Sequence, residues 1–86
     1  MTRQEVEAEV LRVISTDFLY RETTVEQLNL TDKLYEDLGF DSLEEVELCM
    51  TLERDLSISI EEFEISLWST IGDVVNSVMQ ALEAED

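Results

Sequence analysis

Histidine and proline are absent from this sequence, glycine occurs only as Gly39 and Gly72, and Cys49 is the single cysteine. Without histidine, no Ser-His or Cys-His nucleophile pair can be assembled. Two isolated glycines cannot build a phosphate-cradling loop. A lone cysteine allows no internal disulfide and makes a poor zinc site. Scarce proline and glycine also remove most of the punctuation of strands and tight turns, which favours helices. Cations are few as well: five Lys and Arg against 22 Asp and Glu give a formal net charge of −17. Phosphates would be repelled, so nucleic acid is excluded as a direct partner, and anionic membrane surfaces are disfavoured for the same reason. No stretch approaches membrane-spanning length, and no apolar run follows a basic N-terminal segment. We therefore expect a cytoplasmic protein that does not insert into membranes.

What is present is enough for one core. Hydrophobic residues make up 44 % of the 86, and a chain of this length is expected to form one domain over residues 1–86, burying about 60–65 % of its unfolded surface. The negative field should steer the protein toward basic surfaces on other proteins.

Apolar residues at Val6, Val10, Val13, Ile14 and Phe18 draw one stripe along a helix from Gln4 to about Tyr20, with Glu5, Glu7, Glu9 and Arg12 facing water. A long connection follows from Arg21 to Phe40. Its scattered anchors, Val25, Leu28, Leu30, Leu34, Tyr35 and Leu38, suggest that it packs on the core, and Thr24 with Gln27 forms a capping pair for a short turn. Asp41 or Ser42 opens a second helix to about Leu56, with an inward stripe of Leu48, Cys49, Leu52 and Leu56. Leu43, Val46 and Met50 lie on a neighbouring strip, more apolar surface than one buried face requires. The run Ser57-Ile58-Ser59-Ile60 alternates like a strand but has nothing to pair with. Ser59 and Glu62 fit a capping box, so a short third helix from Ile60 to about Ser66 is expected instead. Thr70 and Asp73 form another such box, and Ile71, Val74, Val75, Val78, Met79 and Leu82 carry the last helix to about Glu83, with a fraying acidic end. The expected fold is all-α: three main helices, a short third one, and a long loop between the first and second.

Few residues offer chemistry. The run Asp32-Lys33-Leu34-Tyr35-Glu36-Asp37 lacks the alternating ligands and central glycine of a calcium loop, so no specific metal site is expected. Cys49 on the inward stripe reads as a small buried hydrophobe. Most carboxylates solvate outer faces, as at Glu5, Glu7, Glu9, Glu83 and Glu85. Asp37, Asp41, Glu44, Glu45, Glu47 and Glu53 crowd around the second helix beside Val46 and Met50, which is the pattern of a partner-docking surface. Ser42, from position alone, would be an ordinary N-cap serine.

The run from Glu36 to Leu48, EDLGFDSLEEVEL, resembles the motif of acyl carrier proteins, in which E-D-L-G-x-D-S-L precedes a V-E-L helix. The likeness extends to the long first loop, the short third helix and the Thr-Ile-Gly-Asp start of the last one. The resemblance implies a four-helix carrier fold. It also implies that Ser42 bears 4′-phosphopantetheine, transferred from coenzyme A by a phosphopantetheinyl transferase, whose thiol holds acyl groups as thioesters. The protein would then be no enzyme, since the arm brings the reactive sulfur. By position, Asp41, Glu44, Glu47 and Glu53 would pair with basic patches on acyl-loading, condensing and acyl-transfer enzymes, and Leu43, Val46 and Met50 would supply apolar contact. Leu48, Leu52, Ile65 and Leu67 would shelter the acyl chain.

Three features depart from the family pattern. Arg54 stands in an acidic stretch, no proline precedes the third helix, and Trp68 could cap the core or line the acyl cavity. They count against housekeeping fatty acid synthesis in particular and leave a dedicated carrier for a specialised lipid or polyketide pathway open, within an expected role in fatty acid, specialised lipid or polyketide biosynthesis. A discrete, monomeric carrier is expected; an aminoacyl or peptidyl carrier, or an acidic interaction module that is never modified, are the alternatives.

Overall fold

A computed structural model describes residues 1–19 and 23–84. Four α-helices are found among the described residues: α1 (Arg3–Val13), α2 (Ser42–Leu56), α3 (Glu62–Ile65) and α4 (Ile71–Ala84). Among the described residues there is no strand, only one isolated bridge between Lys33 and Thr70.

The first helix starts from a capping box: Thr2 Oγ1 accepts the Glu5 amide at 3.2 Å, and Glu5 returns the bond to the Thr2 amide at 2.7 Å. Val6, Val10, Val13 and Ile14 are fully buried. The helix does not run on unchanged toward Tyr20, which lies outside the described residues. From Ile14 to Phe18 it widens into a π turn, closed by the Leu19 amide donating to Ile14 O at 3.0 Å. There Ser15 is buried and its hydroxyl donates to Thr23 O at 2.6 Å, a pull that the apolar stripe does not announce.

The long connection packs as expected, with Leu28, Leu34 and Phe40 in the core, but Tyr35 is 73 % exposed and anchors nothing. Gln27 accepts the Thr24 amide at 2.8 Å around the short turn Val25–Gln27. The connection also completes α4. The Ile71 and Gly72 amides, orphans of a helix start, donate to Asp32 O at 3.0 Å and Leu30 O at 2.8 Å. This close approach is why glycine stands at 72: a Cβ there would meet Leu30 O at 3.3 Å.

The third helix is shorter than its pattern suggests, and Ser59 does not cap it. Ile58 and Ile60 both turn inward, which keeps this stretch extended up to the helix start, and the Ile60 amide donates to the Glu53 carboxylate at 2.9 Å. The alternation of Ser57–Ile60 thus reports a non-helical segment with one face buried. The Thr70–Asp73 box forms as expected, with bonds of 3.0 and 3.2 Å. From it α4 sends Ile71, Val74, Val75 and Val78 fully into the core, chiefly against α1. Trp68 caps this core: it is buried, and its Nε1 donates to Ser77 Oγ at 2.8 Å.

Cys49 is buried, as its place on the stripe suggests. Desolvation, then the nearby Glu53 and Glu64 charges, push its thiol up to about 11. A raised folded-state value means the protonated thiol contributes stability at neutral pH that is lost as pH rises through about 11. At pH 8 the thiol is therefore expected to resist a chromogenic disulfide reagent and to react fully once urea unfolds the chain; fast reaction in the native state would contradict this burial.

Candidate functional site

The motif residues converge at the start of α2. Gly39 takes φ +74°, the left-handed geometry that turns the chain. Phe40, only 1 % exposed, then pins the turn into the core, and its amide donates to Leu34 O at 2.8 Å. Asp41 is the N-cap: its carboxylate accepts the Glu44 amide at 2.8 Å, and Glu44 accepts the Asp41 amide at 3.2 Å. With that role filled by aspartate, Ser42 is the first helical residue and not the cap. It is exposed, and no hydrogen bond engages its hydroxyl among the described residues. The ordinary N-cap reading of this serine therefore fails. Asp41→Ala should cost about 1 kcal/mol of stability in a urea melt, with Asp41→Asn largely preserving it.

The amides of Ser42 and Leu43 open the helix without intrahelical acceptors, so they and the helix dipole can receive negative charge attached at Ser42. One turn on, Glu45 is half-buried, and its carboxyl is raised first by desolvation and then by the Asp41 charge. Glu45 and Val46 form one wall of an open groove of about 280 Å³ that begins at Ser42; Glu62, Ile65 and Ser66 of the α3 region form the other.

The proposed docking residues fall out unevenly. Leu43, Val46 and Met50 are 66 %, 40 % and 62 % exposed, a continuous outer strip of α2. Glu47 and Asp41 are exposed beside it, and Glu44 is half-exposed. Glu53 is turned inward onto the Ile60 amide, so it is not available as the others are. Asp37 accepts the Lys33 amide at 2.7 Å and belongs to the loop. The residues expected to shelter an acyl chain do not share a cavity: Leu48 and Leu52 are fully buried in the core, Ile65 borders the groove, and Leu67 is 70 % exposed. Among the described residues, no group of three or more His, Cys, Asp or Glu side chains is placed to hold a metal ion.

Residues 8–78 match the family model described as the phosphopantetheine attachment site. The chain belongs to the acyl carrier protein family. It is 43 % identical over 65 residues to an acyl carrier protein of Wolinella succinogenes, covering 67 % of this chain and 86 % of that one. An acyl carrier protein of Thermotoga maritima is 31 % identical over 81 residues, 94 % of this chain and 96 % of the relative. A crystal structure of an acyl carrier protein from Thermotoga maritima superposes with a TM-score of 0.80 over 98 % of this chain and 94 % of that one, at 26 % identity. The apo doublet acyl carrier protein from prodigiosin biosynthesis is similar over 90 % of this chain and 36 % of its own, with a TM-score of 0.71 at 26 % identity. Acyl carrier proteins are carriers and not catalysts, their cofactor is 4′-phosphopantetheine, and they work with a phosphopantetheinyl transferase and with biosynthetic enzymes. The free hydroxyl, the open amides and the adjoining groove fit that group. No helix among the described residues is long and apolar enough to cross a membrane.

Proposed function

We propose that Ser42 is the residue that bears the arm, and that the carrier delivers acyl groups to enzymes of fatty acid, specialised lipid or polyketide biosynthesis through the outer strip of α2. The observation that carries this reading is the division of labour at the helix start: Asp41 caps, and Ser42 is left exposed, its hydroxyl unbonded among the described residues. In the transfer, Ser42 Oγ forms a bond to the pantetheine-side phosphorus of coenzyme A, the adenosine bisphosphate leaves, and the hydroxyl proton passes to the transferase. The arm, when bound, supplies the thiol that holds the acyl group as a thioester. The chain's own part is to present the hydroxyl, offer two amides to the phosphodiester, and turn an acidic, partly apolar strip toward the incoming enzyme.

Incubation with coenzyme A and a phosphopantetheinyl transferase should add one phosphopantetheine to the native chain, read as intact mass. A native chain that stays unmodified with a broad-specificity transferase would return the protein to the unmodified interaction module. Docking is tested by charge reversal at two exposed glutamates that cap nothing. Glu47→Lys should slow modification several-fold and flatten its salt dependence, whereas Glu26→Lys, on the distant short turn, should change the rate little. Equal effects would leave net charge alone as the cause.

A further inference from the structure

Phe63 and Leu67 are 63 % and 70 % exposed, large apolar side chains that neither the core nor the α2 strip explains. They sit one turn apart. The Leu67 amide donates to Glu64 O at 3.0 Å and the Trp68 amide to Ile65 O at 3.1 Å, so the backbone keeps turning past the end of α3 and holds both side chains on one ridge. Ile65 and Trp68 take the core side of this segment, while Glu62 and Ser66 border the groove that opens at Ser42. Phe63 and Leu67 each follow one of those border residues, which places them next along the solvent side. On the opposite bank stands the exposed strip of α2. One bank of the groove thus carries the exposed strip of α2 and the other carries the α3 segment. The solvent side of that segment holds Phe63 and Leu67 beyond the groove's own lining, with Leu67 also bordering a cleft toward Asp73 and Asn76 of α4.

Charge says what fits over the second ridge. Glu61, Glu62 and Glu64 surround it, and no Lys or Arg occurs anywhere from position 55 to position 86. A second copy of this chain would bring a further charge of −17 with it, and an anionic membrane would be repelled likewise. Resting on the assignment of the arm to Ser42, we propose that an enzyme reaching Ser42 straddles the groove and seats Phe63 and Leu67 in an apolar recess rimmed by Lys or Arg side chains.

The probe is the phosphopantetheinyl transferase of the same organism with coenzyme A, acting on the native chain and on the double variant Phe63→Ser/Leu67→Gln. Both side chains are exposed, so the melting temperature of the variant should match the native value. Its KM for the carrier should rise about fivefold to tenfold with kcat little changed, the pattern of lost uniform binding. The single variant Leu67→Gln, expected at about threefold, guards against a folding defect in the double one. Amide hydrogen exchange over residues 62–67 should slow in the complex. An unchanged KM and unprotected residues 62–67, with the native chain modified at Ser42, overturn the second ridge and leave the arm where it is. A native chain that is never modified removes both readings. A dimer in sedimentation that the double variant dissolves would give the ridge to a second copy and overturn the proposal as well.

Discussion

Ser42→Ala is expected to abolish phosphopantetheine addition completely while leaving the fold as stable as before. The two halves of that outcome have separate causes. Modification needs an oxygen at this position, and alanine has none. Stability is indifferent because the hydroxyl makes no bond among the described residues, and alanine is the better helix former by about half a kcal/mol. Asp41→Ala, its immediate neighbour, should behave in the opposite way. It keeps the hydroxyl and loses the box that Asp41 shares with Glu44, so it lowers the urea midpoint while still accepting the arm. The pair of variants separates a serine that reacts from a serine that caps. Residual mass gain in Ser42→Ala would point to another hydroxyl, with Ser66 across the groove the first to examine. A stability loss above about 1 kcal/mol would mean that Ser42 caps after all.

How much of this could be read before the structure depended on how local the cause was. Thr70 with Asp73 and Thr24 with Gln27 are pairs three residues apart, and both boxes form. The same spacing joins Asp41 to Glu44, which decides between Asp41 and Ser42 as the cap, a choice the sequence reading left open. Ser59 with Glu62 has the same spacing and fails, because Ile58 and Ile60 both turn inward, which needs extended backbone where the box needs the first turn of a helix. Burial against the core overrode a local bond. The π turn at Ile14–Phe18 and the exposure of Tyr35 have the same character, since each depends on what the long connection packs against. At the site, Glu45 and Val46 share a helix face with Ser42 and were within reach of a spacing argument. Glu62 and Ser66 were not, because only the packing of α3 beside α2 brings them to the groove. Spacing along the chain likewise says nothing of how Leu48 and Leu52, in the core, lie relative to Ile65 at the groove and Leu67 at the surface.

Phe40→Ala should unfold most of the protein at low salt, the largest stability effect expected outside a helix. The ring is 1 % exposed and lies 5.4 Å from the Phe18 ring, tilted by 36°. Truncation removes that burial and leaves a cavity, at a cost of about 3–5 kcal/mol. A chain of 86 residues has roughly 4–13 kcal/mol in total, and a net charge of −17 places this one toward the lower end through self-repulsion. Circular dichroism of Phe40→Ala in dilute buffer should show little helix. Added salt shortens the Debye length from about 30 Å at 0.01 M to about 8 Å at 0.15 M, so helicity should return partly as salt is raised. Phe40→Leu, which keeps most of the volume, should stay folded. The ring also fixes where α2 begins, because Phe40 is the buried stop between the left-handed turn at Gly39 and the cap at Asp41. Phosphopantetheine addition to Phe40→Ala should therefore follow its helicity, absent in dilute buffer and recovering with salt, whereas Ser42→Ala recovers under no condition. A Phe40→Ala chain that is modified at the native rate while unfolded would show that the transferase needs only the linear motif, and that the folded start of α2 does not govern recognition.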